Sequence, residues 1–303
     1  MERCLAPAGR VVAKRAPCQG TKNRGLCEYR MQLPGTEFFW EPSLGVLERW
    51  YCRLWGMPIV GLRIRLRRLA KLLPSNATTV LDAGCGRGVM TRMLALRYAN
   101  AMIDAVDENE SAQKTNTQLA AHMGLQNCQF LVADVTQYEA LDRYDLIVSV
   151  DNLEHVKDDQ AVLGHFFRSM RNDGVLVVHV PHFYRRWPLF HWSENFDVPG
   201  HVRPGYHLPE LLERVRRAGF VVSRFGFSYG FLENLINNIS YAITGAKEQR
   251  KMVYAVLFPL LNALAWLGQW SNPQMGAGVW LVAKKLSAVK ALPRQEEEDE
   301  PLV

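Results

Sequence analysis

The chain has 303 residues and six cysteines, and no cysteine stands in a CxxC or CxxH pair. Zinc-ribbon and thioredoxin-like readings lose their main support, and free thiols fit a reducing cytoplasm. The first residues lack the charged region, apolar region and small-residue cleavage site of a secretory signal. No Gly-X-Y period, heptad array or longer internal repeat is present, which excludes collagen-like, coiled-coil and solenoid architectures. Acids are scarce at the start: residues 1–75 hold 14 Lys/Arg against 5 Asp/Glu. Charged residues and histidine are absent altogether from 252–283.

With 48% hydrophobic and 22% charged residues, the chain has the composition of a folded protein. Its middle is nearly neutral, with 21 basic and 20 acidic residues over 76–293, and its last ten residues carry five acids and one arginine. A nucleic-acid partner is therefore not expected. The basic excess is local to the N-terminal quarter, where a basic patch could meet anionic lipid or RNA. The expected organisation is a disordered leader over 1–40, basic helices over 41–75, a catalytic domain over 76–286 and an acidic tail over 287–303. Residues 43–73 read as helical, and the arginines between Ile59 and Leu73 read as a cationic surface before Pro74 ends the run.

From Thr79 the pattern becomes short β-rich runs alternating with amphipathic helices. Runs are expected at Val80–Ala83, Ala101–Val106, Gln129–Val132, Leu146–Val150, Val175–Val180, Phe220–Phe227 and Gly278–Ala283. Strands alternating with helices predict an α/β fold with a doubly wound, Rossmann-like parallel sheet.

The first of these strands runs into Asp82-Ala83-Gly84-Cys85-Gly86-Arg87-Gly88 and then a helix. Glycines admit a ligand close to the backbone, and a helix N-terminus adds positive potential. The spacing is Gly-x-Gly-x-Gly, unlike the dinucleotide fingerprint, which disfavours a nicotinamide oxidoreductase. Asp82 would repel a pyrophosphate and suit an ammonium group. Asp107 follows Gly88 by nineteen residues and can accept both ribose hydroxyls. Asp134 ends the third strand and can accept from an adenine amine. Asp151 ends the fourth, ahead of Asn152-Leu153-Glu154-His155-Val156. Local readings stay open: Asp82 as a turn former, Asp107 or Asp134 as a helix cap.

The order of these motifs resembles class I S-adenosylmethionine-dependent methyltransferases over residues 78–230 and 278–285. The resemblance implies a seven-stranded sheet with an antiparallel last strand, and S-adenosyl-L-methionine as cofactor. It places Asp82, Gly84, Cys85, Gly86 and Gly88 at the methionine end, Asp107 at the ribose and Asp134 at the adenine, with Asp151 on the same edge. The Leu153–Val156 run is similar to one found in small-molecule and quinone methyltransferases, and the Gly200-His201-Val202-Arg203 run to one in some relatives.

Residues 179–207 carry five of the eight histidines. Their spacings match no metal pattern, so no metal is assigned. His155, His182 and His201 are the candidate catalytic residues, because an oxygen or carbon acceptor needs a base near neutral pKa. Residues 181–207 are expected to cross over the acceptor site, and 231–277 to form an apolar helical insertion between the sixth and seventh strands. That insertion reads as a buried lid, an in-plane membrane element or a span. Pairing of the flanking strands would forbid a single crossing. The expected activity is methyl transfer to a lipophilic or bulky small molecule, at oxygen or carbon, by a cytoplasmic protein that meets the membrane surface. A glycan acceptor and a non-catalytic cofactor-binding protein are the alternatives.

Overall fold

The computed structural model describes residues 34–186, 191–195, 200–244 and 251–287. Most of the expected leader and the acidic tail lie outside them. At its described end the leader expectation is corrected: Thr36–Trp40 form a 3-10 turn. It is held because Phe38 is buried and because Glu37 pairs with Arg92 at 2.9 Å.

The expected helical stretch over 43–73 is two helices, α1 (Val46–Trp55) and α2 (Val60–Ala70). The break falls at Gly56, whose φ is +67°, a conformation cheap only for glycine. Pro58 two residues later cannot donate a backbone N–H. Arg63 of α2 donates to the carbonyl of Trp55 at 2.6 Å, satisfying an orphaned acceptor at the end of α1.

The sheet follows as β1 (Thr79–Ala83), α3 (Val89–Arg97), β2 (Met102–Asp107), α4 (Glu110–His122), β3 (Cys128–Val132), β4 (Tyr144–Val150), α5 (Asp159–Ser169) and β5 (Met170–Pro181). A short antiparallel ribbon, β6 (Tyr184–Arg186) and β7 (Trp192–Glu194), lies in the crossover. Then come α6 (Leu208–Arg217), β8 (Val221–Ser228), α7 (Phe231–Thr244), α8 (Lys251–Leu267) and β9 (Gly278–Lys284). The strand order is β3-β2-β1-β4-β5-β9-β8, and β9 runs antiparallel to both its neighbours. The Rossmann-like reading and its reversed last strand hold. The central strands are covered by apolar clusters on both faces, so they read as continuous apolar runs.

The insertion α7–α8 leaves the sheet at Ser228 and re-enters at Gly278, which pair with each other, and Gly278 stands opposite Pro181. Both ends therefore lie at the carboxyl edge of the parallel strands, where open α/β sheets bind ligands. A single membrane crossing is excluded by this pairing. Met252–Trp270 is nevertheless long and apolar enough to span a bilayer, with 28% of it buried. Tyr254, Phe258, Leu261 and Ala265 form its buried line against Val60 and Ile64 of α2. Met252, Val256 and Leu260 stand 75%, 76% and 59% exposed on the other side. One face of α8 is thus buried against α2 and the other is open to solvent.

The expected cationic surface on α2 is overturned. Arg63 is 4% exposed. Arg65 pairs with Asp151, Arg67 bonds Asn262 at 3.0 Å, and Arg68 forks onto Glu233 at 2.8–3.1 Å. These arginines stitch α2 to the sheet edge and to the insertion.

Candidate active site

The turn after β1 is built on three left-handed glycines: Gly84, Gly86 and Gly88, at φ +75°, +51° and +65°. A Cβ on Gly84 would fall 2.4 Å from the Asn152 side chain, so the turn and the end of β4 pack backbone to side chain. A Cβ on Gly86 would meet nothing within 4 Å. The turn therefore opens at Gly86, where a ligand can approach the backbone, and Gly88 starts α3 with its free N–H groups.

Asp107 ends β2 beside that opening. Its Oδ2 accepts from the Gly86 N–H at 2.8 Å and its Oδ1 from the Asn109 N–H at 3.0 Å. It is half-buried and keeps lone pairs for ribose hydroxyls. Asp134 is also half-buried, and its Oδ1 accepts from the Thr136 N–H at 2.7 Å. Against the local expectation of a helix cap, Asp134 accepts within a turn that leads to no helix. Of the other cofactor-binding candidates, Asp82 and Cys85 sit deeper, and Asp151 is half-buried. Thr91 donates to Asp82 at 2.6 Å, tying β1 to α3, and burial pushes this carboxyl up to about 6. Cys85 lies at 3.4 Å from Gln113 Oε1, and burial raises its thiol.

Asp151 does not face a ligand with free oxygens. It adopts φ +48°, a strained backbone for a residue with a side chain. Its carboxylate is shared between Arg65 and His179 Nδ1, the latter at 2.7 Å. Burial alone would raise its pKa; Arg65 and then His179 overcome this and hold it at about 2. Asp151 thus anchors α2 and β5 at the end of β4. His179 Nε2 in turn lies 2.8 Å from Ser228 Oγ. The Asp–His–Ser chain invites a hydrolase reading, but both His179 and Ser228 are buried, and Gly278 closes over them. It locks the root of the insertion to the sheet.

Of the three candidate catalytic histidines, two meet. His155 and His201 stack edge to face with ring centres 4.5 Å apart. Both lie against Glu154, whose carboxylate is fully buried and meets no side-chain donor among the described residues. Burial, then the charge of Asp151, pushes Glu154 well above the usual carboxylate range. His182 stands apart in a nest of Phe227, Tyr184 and His207, with ring centres 5.2–6.4 Å away. Burial lowers its pKa below that of an ordinary histidine.

Sequence reading missed the polar layer under the glycine turn. Asn116 of α4 donates to the Gly86 carbonyl at 2.8 Å, and Gln113 to that of Leu131 at 2.7 Å. Both are buried. Two amides spaced i, i+3 on the inward face of an amphipathic helix were the available signal.

The order of elements, the glycine turn and the acids at successive strand ends define a class I methyltransferase architecture. Residues 74–215 match the family described as "Methyltransferase domain". The (S)-coclaurine N-methyltransferase of Thalictrum flavum subsp. glaucum is 34% identical over 105 residues, 34% of this chain and 29% of that protein. A trans-aconitate 2-methyltransferase of Enterobacter sp. (strain 638) is 31% identical over 134 residues, 44% of this chain and 46% of the relative. This chain thus spans less than half the length of either curated relative. The crystal structure of an S-adenosylmethionine-dependent methyltransferase from Mesorhizobium loti superposes with a TM-score of 0.50 at 14% identity, covering 74% of this chain and 99% of that one; that likeness is one of fold. Residues 74–215 are thus similar to a methyltransferase domain, within a sheet of order β3-β2-β1-β4-β5-β9-β8.

Proposed function

We propose that this chain transfers the methyl group of S-adenosylmethionine to a lipophilic or bulky small molecule, at oxygen or carbon, and that it meets this acceptor at a membrane surface. The observation that carries the acceptor class is the insertion. It is rooted by the Ser228–Gly278 pair at the ligand-binding edge of the sheet, and the outer face of α8 is apolar and open to solvent. Tyr51 of α1 donates to the Ala255 carbonyl of α8 at 2.6 Å, and α1 adds Leu47, Trp50 and Leu54, at 83%, 55% and 65% exposure. Exposed apolar side chains of this size on the two helices suit an interaction surface. Exposed Trp50, Trp55, Trp266 and Trp270 suit the bilayer interface.

On the cofactor side, the open backbone at Gly86, the N–H groups at the start of α3, and the carboxylates of Asp107 and Asp134 fit the glycine-turn and ribose contacts of S-adenosylmethionine. Asp82 acts one layer behind them. The bound cofactor supplies an activated sulfonium methyl, so the protein's work is alignment. Glu154, His155 and His201 form the polar group beyond the methionine end, because Asn152, two residues before Glu154, packs on Gly84.

The test is incubation of the purified chain with methyl-labelled S-adenosylmethionine and either the lipid extract or the aqueous extract of one cell sample. The reading requires protein-dependent label in the lipid extract. Label confined to the aqueous extract overturns the acceptor class. Tight cofactor binding with no transfer to either extract overturns the enzyme in favour of a binding protein.

A further inference from the structure

Glu154, His155 and His201 each offer one ligand atom, and these atoms all lie within 4.8 Å of one another. We propose that they form a binding site for a divalent first-row transition-metal ion. The sequence hides this set, because His201 lies 46 residues beyond His155 and no short spacing announces it. Two imidazoles and one carboxylate are the donor set of many catalytic zinc and non-haem iron sites, which leave coordination positions open.

Three features make the group more than a coincidence of neighbours. The first is Glu154, a fully buried carboxylate whose oxygens meet no side-chain donor among the described residues. A buried carboxylate in that state is costly unless it is neutralised or coordinates a cation. The second is the orientation of His155. Its Nδ1 lies 2.9 Å from the Gly200 carbonyl, which fixes the proton on Nδ1 and leaves the Nε2 lone pair for an ion. A backbone carbonyl holding the far nitrogen is the usual outer support of a ligating histidine.

The third is that the two distant segments are fastened together around the group. The Val202 N–H donates to the Glu154 carbonyl at 2.9 Å. Arg203 donates to the carbonyls of Val156 and Lys157 at 2.9 and 3.0 Å and pairs with Asp159. The Tyr206 hydroxyl donates to the Leu153 carbonyl at 3.0 Å. Ligands of a tetrahedral ion at about 2.1 Å stand roughly 3.4 Å apart. The backbone so held keeps the three ligand atoms within 4.8 Å of one another. Among the described residues, His182 in its aromatic nest belongs to no such set.

Ion binding here does not depend on the acceptor reading above; only its use does. A bound ion at this edge would hold an oxygen of the acceptor in one of its open positions. The test is to strip the full chain with chelator and titrate it with Co²⁺, then displace with Zn²⁺. The proposal requires d–d absorption saturating near one equivalent and no thiolate-to-cobalt charge-transfer band. Glu154→Gln, His155→Ala and His201→Ala should each weaken Co²⁺ binding by ~tenfold or more, whereas His182→Ala should bind as wild type. Calorimetric binding of S-adenosylhomocysteine, retained in every variant, shows that each is folded. No saturable absorption in the wild type, a purely thiolate-type spectrum, or an unchanged titration in His201→Ala overturns the site. Label transfer that proceeds unchanged in metal-free protein removes the ion from the reaction while leaving the acceptor reading intact.

Discussion

Helices α2 and α8 lie against each other with their chemistry inverted. The first carries four arginines among eleven residues, and its guanidinium groups are turned into the protein. The second holds no charge beyond Lys251, and much of it faces solvent. Hydropathy alone would place them the other way round. The inversion follows from what each helix touches. Arginine donates five N–H groups from a planar fork, so α2 can satisfy the end of α1, the carboxylate of Asp151 and the buried Glu233 at once. The leucines and tryptophans of α8 have one buried stripe to fill and are left over on the other side.

The largest effect should come from cutting the inward charge. Arg68 bonds Glu233, the Gly268 carbonyl and the Ser271 carbonyl, and Glu233 is fully buried. Arg68→Ala strands that carboxylate, which costs about 3 kcal/mol. At this chain length the melting temperature should fall by roughly 6–12 °C. A fall under about 2 °C in calorimetry would show that the stitch contributes little and that α2 is held by its apolar side alone.

A second buried charge gives a pH signature. Burial holds Asp82 at about 6 in the fold, above its ordinary 3.8. Between those values the native state binds more protons than the unfolded state, so stability falls as pH rises through that window. The difference amounts to about 3 kcal/mol. Asp82→Asn should flatten this slope in urea titrations run from pH 4 to 7. A slope unchanged in the variant would place its source elsewhere.

Asp107 separates site from scaffold. Losing a charged acceptor costs roughly 1.5–3 kcal/mol, so Asp107→Ala should weaken S-adenosylmethionine binding about tenfold or more in calorimetry, with little change in melting. Unchanged affinity in the folded variant would refute the ribose assignment. The smallest effect belongs to the outward face: exposed Arg53 on α1 is worth about 1 kcal/mol near anionic lipid. Arg53→Gln should lower vesicle partitioning roughly fivefold at low salt and leave partitioning at high salt untouched.

How much was legible depended on whether a signal was local. The seven strands and their reversed last member could be read because each strand is an apolar run closed by a glycine turn, an acid or a helix. The glycine turn and the placing of Asp107 and Asp134 at the ends of β2 and β3 were legible for the same reason. Partners far apart in the chain were not. Arg65 reads as a surface charge until Asp151, 86 residues on, is placed beside it. Asp151 itself reads as a ligand at a strand end until Arg65 and His179 are found on its oxygens. The two faces of α8 could not be separated by composition, because it is apolar nearly all round and only packing on Val60 and Ile64 shows which side is covered.

The outward apolar face is the central claim, and vesicle cosedimentation tests it most directly. Wild-type protein and a Trp266→Ser/Trp270→Ser double variant are spun with anionic and with neutral phospholipid vesicles, with the oligomeric state checked in parallel by ultracentrifugation. The account predicts a monomer that sediments with anionic vesicles, less so with neutral ones, and a variant that loses most of that binding while melting within a few degrees of wild type. Protein that stays in the supernatant with both kinds of vesicle, or that hides the same tryptophans in a stable dimer, would contradict it.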